Sequence, residues 1–263
     1  MIRTPLMNVM VAAVLKAGKG LKRDFGELEN LQVLAKGPGD FVSIADKRAE
    51  KTLHEELEKA RPGYGFVMEE GGTIEGADKT HRWIIDPLDG TTNFLHGIPF
   101  FSISVALERD GVLVAGVVYN PATEELYIAE KGKGAFANDR RLRVAGRRQM
   151  DDAVICTTVA HIGRGNHPLN QAEIKAVTAQ VAGIRRFGSA ALELGYVAAG
   201  RFDGFWERWL SPWDIAAGIV LVREAGGFVT DLSGRDKMLE TGDICVGNEH
   251  IHKQLLKLVQ DAR

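Results

Sequence analysis

Trp83-Ile84-Ile85-Asp86-Pro87-Leu88-Asp89-Gly90-Thr91-Thr92-Asn93-Phe94 is the stretch from which the rest of the chain can be read. Trp83 to Ile85 has the apolar, β-favouring composition of a buried strand. It runs straight into two carboxylates three residues apart, Asp86 and Asp89. Pro87 fixes φ and has no N–H to give a ladder, so the chain is expected to turn out of the sheet there. Gly90, Thr91 and Thr92 follow, with the free N–H groups of a helix start, a natural seat for phosphate. Hard divalent cations take oxygen ligands, and Mg2+ binds through one or two carboxylates plus substrate phosphate oxygens. Metal carboxylates and a phosphate cradle in one loop point to metal-assisted phosphoryl chemistry. Asp-Pro and Asp-Gly are also ordinary turn signals, and Asp or Thr before a helix is often only an N-cap.

Two further acidic segments tilt the balance toward a site. Upstream, Gly65-Phe66-Val67-Met68-Glu69-Glu70-Gly71-Gly72 reads as a short apolar strand ending in paired glutamates. Acids at a strand end lie at the sheet edge, where ligands of α/β folds usually sit. Downstream, Glu207-Arg208-Trp209-Leu210-Ser211-Pro212-Trp213-Asp214 leads into a helical run through Glu224, closed by Gly226-Gly227. Asp214 there is either an ordinary helix N-cap or, beside two tryptophans, an acid placed to reach a metal.

Composition agrees with a soluble enzyme. A chain of 263 residues can bury a large core, and α/β chains of this length are often one domain, here expected to be 1–263. With 33 Lys and Arg against 35 Asp and Glu, the near-balance argues against general nucleic-acid or membrane binding. Cys156 and Cys245 are far apart with no metal spacing, as expected of reduced cytoplasmic thiols. The apolar run Leu6 to Leu15 is broken by Asn8, lacks a small-residue cleavage site and is too short to span a bilayer. It reads as a buried first helix.

Periodicity predicts helices over about 4–30 and 43–60, the second with Ile44, Leu53 and Leu57 on its apolar side. Alternating strands follow at Ile103 to Leu107, Val112 to Tyr119 and Glu125 to Ala129, with Asp110-Gly111 and Asn120-Pro121 as turns. Beyond about residue 150, a strand at Val154 to Thr157 precedes helices over about 169–182, 189–199 and 214–225. A strand at Ile244 to Gly247 and a helix over about 249–261 close the chain.

The run Trp83 to Phe94, together with Trp213-Asp214-Ile215-Ala216-Ala217-Gly218 leading into Arg223 to Gly227, resembles the two signatures of the inositol monophosphatase family. These are Mg2+-dependent, lithium-sensitive phosphatases, and the likeness runs from about Lys36 to about Asn248. The tract Arg185 to Leu194 and the following Ala198 to Glu207 resemble the bacterial branch. The resemblance implies an α/β fold of alternating α-β-α-β-α layers, a homodimer, and hydrolysis of a small polyol or sugar phosphate, myo-inositol monophosphate foremost. It implies one Mg2+ held by Glu69 (Glu70 is the alternate), Asp86 and the Leu88 carbonyl. A second would be held by Asp86, Asp89 and Asp214. Carboxylates about 4 Å apart repel by roughly 4 kcal/mol at an effective dielectric near 20, and cations between them remove that penalty. The metals would acidify a water and neutralise the leaving oxygen. Thr91 would orient that water with Asp46 as its partner, and the N–H groups of Gly90 and Thr91 would bind phosphate. Glu207 would accept a substrate hydroxyl, and the turn Gly188-Ser189-Ala190 would line the same pocket. Lys36, expected on a loop with Gly37, Pro38 and Gly39, matches a family lysine near a further, weaker metal.

Rival substrates share the motifs: fructose 1,6-bisphosphate, histidinol phosphate and 3′-phosphoadenosine 5′-phosphate. A non-catalytic alternative is association with the transcription machinery, for which Arg140 to Arg148 is the motivating basic stretch. That stretch has no interleaved aromatics and reads first as a solvated face. Lys131 to Gly134 lacks P-loop spacing and reads as a hairpin turn, and His250 and His252 have no metal partners nearby in sequence. Trp206, Trp209 and Trp213 read as core or subunit-interface residues.

Overall fold

The computed structural model describes residues 3–27, 33–37, 40–163 and 165–262, and for 33–37 and 40–42 the backbone alone. Helix α1 (Pro5–Phe25) starts at Thr4, whose hydroxyl accepts from the Met7 N–H at 3.1 Å, with Pro5 preset for the first turn. It ends at Gly26, earlier than the predicted span. Helix α2 (Ile44–Ala60) opens with a capping box in which Asp46 accepts from the Ser43 N–H at 2.9 Å. Its apolar stripe, Leu53 and Leu57, packs with Met10 and Val14 of α1 in one core. Ile44, by contrast, is exposed.

The strands β1 (Val33–Gly37) and β2 (Asp40–Ser43) pair antiparallel. Lys36 therefore lies in a strand and not on the expected loop, and its side chain lies outside the described residues.

An eight-stranded sheet carries β3 (Gly65–Met68), β4 (Gly72–Ile74), β5 (His81–Asp89) and β6 (Ser102–Arg109), with β7 (Val112–Asn120), β8 (Glu125–Glu130), β9 (Gly134–Ala137) and β10 (Arg140–Arg141). Their order is β10-β9-β8-β7-β6-β5-β3-β4. The hairpin turns at Asp110-Gly111 and Lys131 to Lys133 fall where expected. Beyond Asn120 the chain also turns, between β7 and β8.

The chain does not turn out of the sheet at Pro87. β5 continues to Asp89, and the ladder with β6 slips between Asp86↔Ser104 and Asp89↔Ser102. This bulge absorbs the missing N–H, which is where a proline inside a sheet is tolerated.

The second sheet has five strands: β11 (Val154–Thr157), β12 (Gly183–Arg185), β13 (Gly204–Glu207), β14 (Phe228–Thr230) and β15 (Ile244–Gly247), ordered β12-β11-β13-β15-β14. Of these, β12 and β14, three residues each, are too short to announce themselves by alternation. Between the sheets run α5 (Ala190–Ala198) and α6 (Pro212–Glu224), which bury Leu194, Val197, Ile219 and Val220 with Ala106 and Val118 of the first sheet and Phe205 and Val246 of the second. Helices α4 (His167–Thr178) and α8 (Glu249–Asp261) cover the outer face of the second sheet, sharing a core of Val177, Trp206, Ile251 and Leu255. Two short helices, α3 (Thr91–Leu95) and α7 (Met238–Thr241), complete the eight α-helices among the described residues. The layers are thus α1/α2, sheet, α5/α6, sheet, α4/α8, the α-β-α-β-α order expected.

Candidate active site

β3 and β5 run parallel with Met68 opposite Ile85, so Glu69 emerges beside Asp86 at the same sheet end. The Glu69 N–H donates to the Ile85 carbonyl at 3.3 Å. The bulge then sends Asp86 and Asp89 toward one cavity, with the Asp86 carboxylate accepting from the Leu88 N–H at 2.9 Å. Gly90 follows in the left-handed region at φ +91°, and a Cβ there would stand 3.1 Å from the Gly188 carbonyl, so only glycine lets the turn at 188 approach. Phe94, fully buried against Phe101 at 5.0 Å between ring centres, anchors the short α3.

Asp214 comes from the other side. It sits in the first turn of α6, two residues inside the helix, and the N-cap is Ser211 rather than Asp214. Its carboxylate accepts from the Ser211 N–H at 2.8 Å and also points into the cavity wall. The α6 start is fixed to the sheet by Ser104, whose hydroxyl donates to the Trp213 carbonyl at 3.1 Å. Ser104 is the ladder partner of Asp86. One strand position farther on that face, Ser102 pairs with Asp89 and lies 3.2 Å from the Ser189 hydroxyl. Ser189 donates its own proton to Asp89 at 2.6 Å, so Ser102 must be the donor between the two serines. The Ala191 N–H also donates to Asp89, at 2.7 Å. Neither Ser102 nor Ser104 belongs to a sequence motif of the site, although Ser102-Ile103-Ser104 places two hydroxyls on one strand face.

The cavity occupies about 550 Å³. Glu69, Asp86, Leu88, Asp89, Gly90, Thr91, Gly188, Ser189, Ala190, Glu207 and Asp214 all line it. Asp46 does not. It lies behind Thr91, whose hydroxyl is 3.3 Å from its carboxylate and 3.0 Å from the Leu88 carbonyl. Burial pushes the Asp46 carboxyl above its ordinary range, against its bonds to Ser43. Asp86, 2 % exposed, is raised well above that range, first by burial and then by the charges of Glu69, Asp89 and Asp214. Glu193 of α5 also faces the cavity, and burial followed by the charge of Glu207 raises it strongly. It accepts from the Phe187 N–H at 2.7 Å, and Asn93 donates to the Phe187 carbonyl at 2.6 Å, so two buried side chains hold the 187–190 turn. Thr157, Thr158, His161, Gly163, Arg186 and Trp209 also line the cavity, and no sequence motif points to them.

Carboxylates, hydroxyls and a main-chain carbonyl form an all-oxygen donor set of the kind hard divalent cations take. A cation among Glu69, Asp86, Asp89 and Asp214 would relieve the repulsion that raises Asp86. Among the described residues, no three such side chains already close around a single point. The donor chemistry fits a hard metal.

This architecture is shared with solved structures. That of the extragenic suppressor protein suhB from Bartonella henselae superposes with a TM-score of 0.95 at 57 % identity, covering 98 % of this chain and 99 % of that one. Fold and cavity together are those of a layered α/β phosphatase. The chain belongs to the inositol monophosphatase family, which matches residues 3–263. An inositol-1-monophosphatase of Rhizobium meliloti is 64 % identical over 260 residues, 99 % of this chain and 98 % of that protein. The Nus factor SuhB of Pseudomonas aeruginosa is 43 % identical over 97 % of this chain and 96 % of its own length. The family is generally metal-dependent. Among the described residues, no helix is long and apolar enough to cross a membrane.

Proposed function

We propose that this enzyme is a Mg2+-dependent phosphomonoesterase acting on a small polyol phosphate, myo-inositol monophosphate first among them. One observation carries the reading. Of the six acidic side chains that line one cavity, four are the proposed metal ligands and come from three separate elements, and the most buried of these four, Asp86, is repelled by the other three. Family membership and the inositol-1-monophosphatase name of the Rhizobium meliloti relative support the substrate.

Glu69, Asp86, Asp89, Asp214 and the Leu88 carbonyl would hold Mg2+, which when bound supplies an acidified water and neutralises phosphate charge. The chain's own groups do the rest. Thr91 lies between the Leu88 carbonyl and Asp46, so its hydroxyl is held to orient the attacking water. The N–H groups of Gly90 and Thr91 receive the phosphate, within a wall made by the 188–190 turn. Glu207, nearly buried at the end of β13, accepts a hydroxyl of the leaving alcohol and so reads it. Lys36 remains a proposed contact to a weaker third metal.

Phosphate release from inositol 1-phosphate, fructose 1,6-bisphosphate, histidinol phosphate and 3′-phosphoadenosine 5′-phosphate, with Mg2+ or EDTA, tests this. Mg2+-dependent preference for inositol 1-phosphate is expected, with inhibition by millimolar lithium. Preference for another ester would move the substrate and keep the mechanism, and no hydrolysis at all would overturn both.

A second reading draws on the SuhB relatives and the exposed Arg140, Arg141, Arg143, Arg147 and Arg148, of which the first two form the edge strand β10. It proposes association with transcription proteins independent of catalysis. Pull-down with Asp86→Asn protein tests it: partner retained without hydrolysis supports the second role, and no partner with either protein removes it.

A further inference from the structure

The cavity wall at Trp209 is held by contacts that the reaction as described does not use. Along β13 side chains alternate: Phe205 faces the α5/α6 core, whereas Trp206 packs on the opposite side with α4 and α8. Glu207 then faces the cavity, and Arg208 turns back toward α4. Arg208 is 7 % exposed. Its Nε donates to Glu173 of α4 at 2.8 Å and its Nη1 to Asp243, just before β15, also at 2.8 Å. Glu173 in turn accepts from the Trp206 indole at 3.3 Å. A buried cation gripping two carboxylates is weak evidence for stability, because desolvation opposes the attraction. It does fix geometry, and here it pins the last residue before Trp209. On the other side, the Leu210 N–H donates to the Gly242 carbonyl at 2.8 Å.

Between these two pins Trp209 stands at φ +58°, in the left-handed region that glycine occupies easily and a bulky side chain does not. Its indole is not buried in compensation. It is 42 % exposed on the cavity wall, and among the described lining residues it is the one large apolar side chain left that open. Gly165 keeps the neighbouring loop close: a Cβ there would lie 3.1 Å from the indole ring.

Resting on the phosphatase reading above, we propose that Trp209 is a specificity-determining residue whose indole receives the C–H face of a ring-shaped polyol phosphate. A cyclitol or pyranose carries hydroxyls around its rim and C–H groups on its faces. The rim suits Glu207 and the other oxygen groups of the cavity, and the face suits an aromatic plane that sheds water on contact. An acyclic polyol phosphate offers no rigid face and loses more torsional freedom on binding.

The test compares kcat/KM for myo-inositol 1-phosphate and for acyclic glycerol 2-phosphate, with Mg2+, in wild type, Trp209→Gly and Trp209→Phe. The cyclic-to-acyclic ratio should fall about tenfold in Trp209→Gly, the scale of one lost apolar contact in a pocket, through KM rather than kcat. Trp209→Phe, which keeps an aromatic face, should restore most of that ratio. The glycine variant should melt no lower than wild type, because glycine relieves the φ strain. A ratio unaltered in Trp209→Gly, or lost equally in Trp209→Phe, overturns the proposal while leaving the phosphatase intact. Wild type that hydrolyses neither ester overturns the phosphatase reading, and the proposal falls with it.

Discussion

Gly116→Ala tests whether the placement of α6 sets the active site. Gly116 lies in β7 under α6, and a Cβ built there would stand 2.6 Å from the Ala217 carbonyl oxygen and 2.9 Å from its Cα. Ordinary contact begins near 3.4 Å, so the helix would have to rise by about 0.8 Å, and the obstacle is backbone that cannot rotate away. Overpacking of this kind costs about 1–3 kcal/mol. For a chain of this size that is a fall in Tm of roughly 2–12 °C. The rise also carries Asp214 away from Asp86, whose strand partner Ser104 holds the α6 start. A misplacement near 1 Å can cost about a hundredfold in rate, so a loss in kcat/KM of some tens-fold is expected. Thermal unfolding and phosphate release, both with saturating Mg2+, measure the two effects. Gly20→Ala is the control: it sits in α1 with nothing within 4 Å of a new Cβ, and should add about 0.5–1 kcal/mol without touching activity. If Gly116→Ala melts like wild type, the packing argument is wrong. If it melts lower but keeps full activity, α6 does not set the site geometry.

Three other outcomes follow from the same contacts. Asp214→Asn should fold, since an amide oxygen can still accept the Ser211 N–H, yet lose most Mg2+-dependent turnover; near wild-type phosphate release would refute the metal assignment. Ser104→Ala removes the hydroxyl bond to the Trp213 carbonyl and should cost about 1 kcal/mol in denaturant unfolding, with a modest fall in kcat. Burial holds His252 below its ordinary range, so the folded chain keeps it neutral while the unfolded chain takes up a proton. Stability should therefore be full above about pH 6.5 and decline as pH falls below it, and His252→Gln should remove that part of the slope between pH 7.5 and 5.5. Parallel pH profiles for the two proteins would exclude His252 as the cause.

What the sequence determined by itself was local. Periodicity located α1, α2, α8, β7 and β11, because an apolar pattern is written within one helix or one strand, whereas the N-cap of α6 is Ser211 and not Asp214. The acids of the central loop were also legible, because Asp86, Asp89 and Gly90 sit within five positions of one another and carry their chemistry in their residue types, whereas Glu193, inside an apolar helical run, was not. The bulge that keeps Pro87 inside β5 was not legible, because it depends on β6 supplying the other half of a slipped ladder. Nor were Ser102 and Ser104, ordinary strand residues until α5 and α6 dock on them. The Arg208 anchor joins groups 35 residues apart, and the exposure of Trp209 on the cavity wall follows from pins on either side of it. Tertiary structure alone decided these, since each is a contact between segments whose separation in the chain leaves no mark on their local pattern.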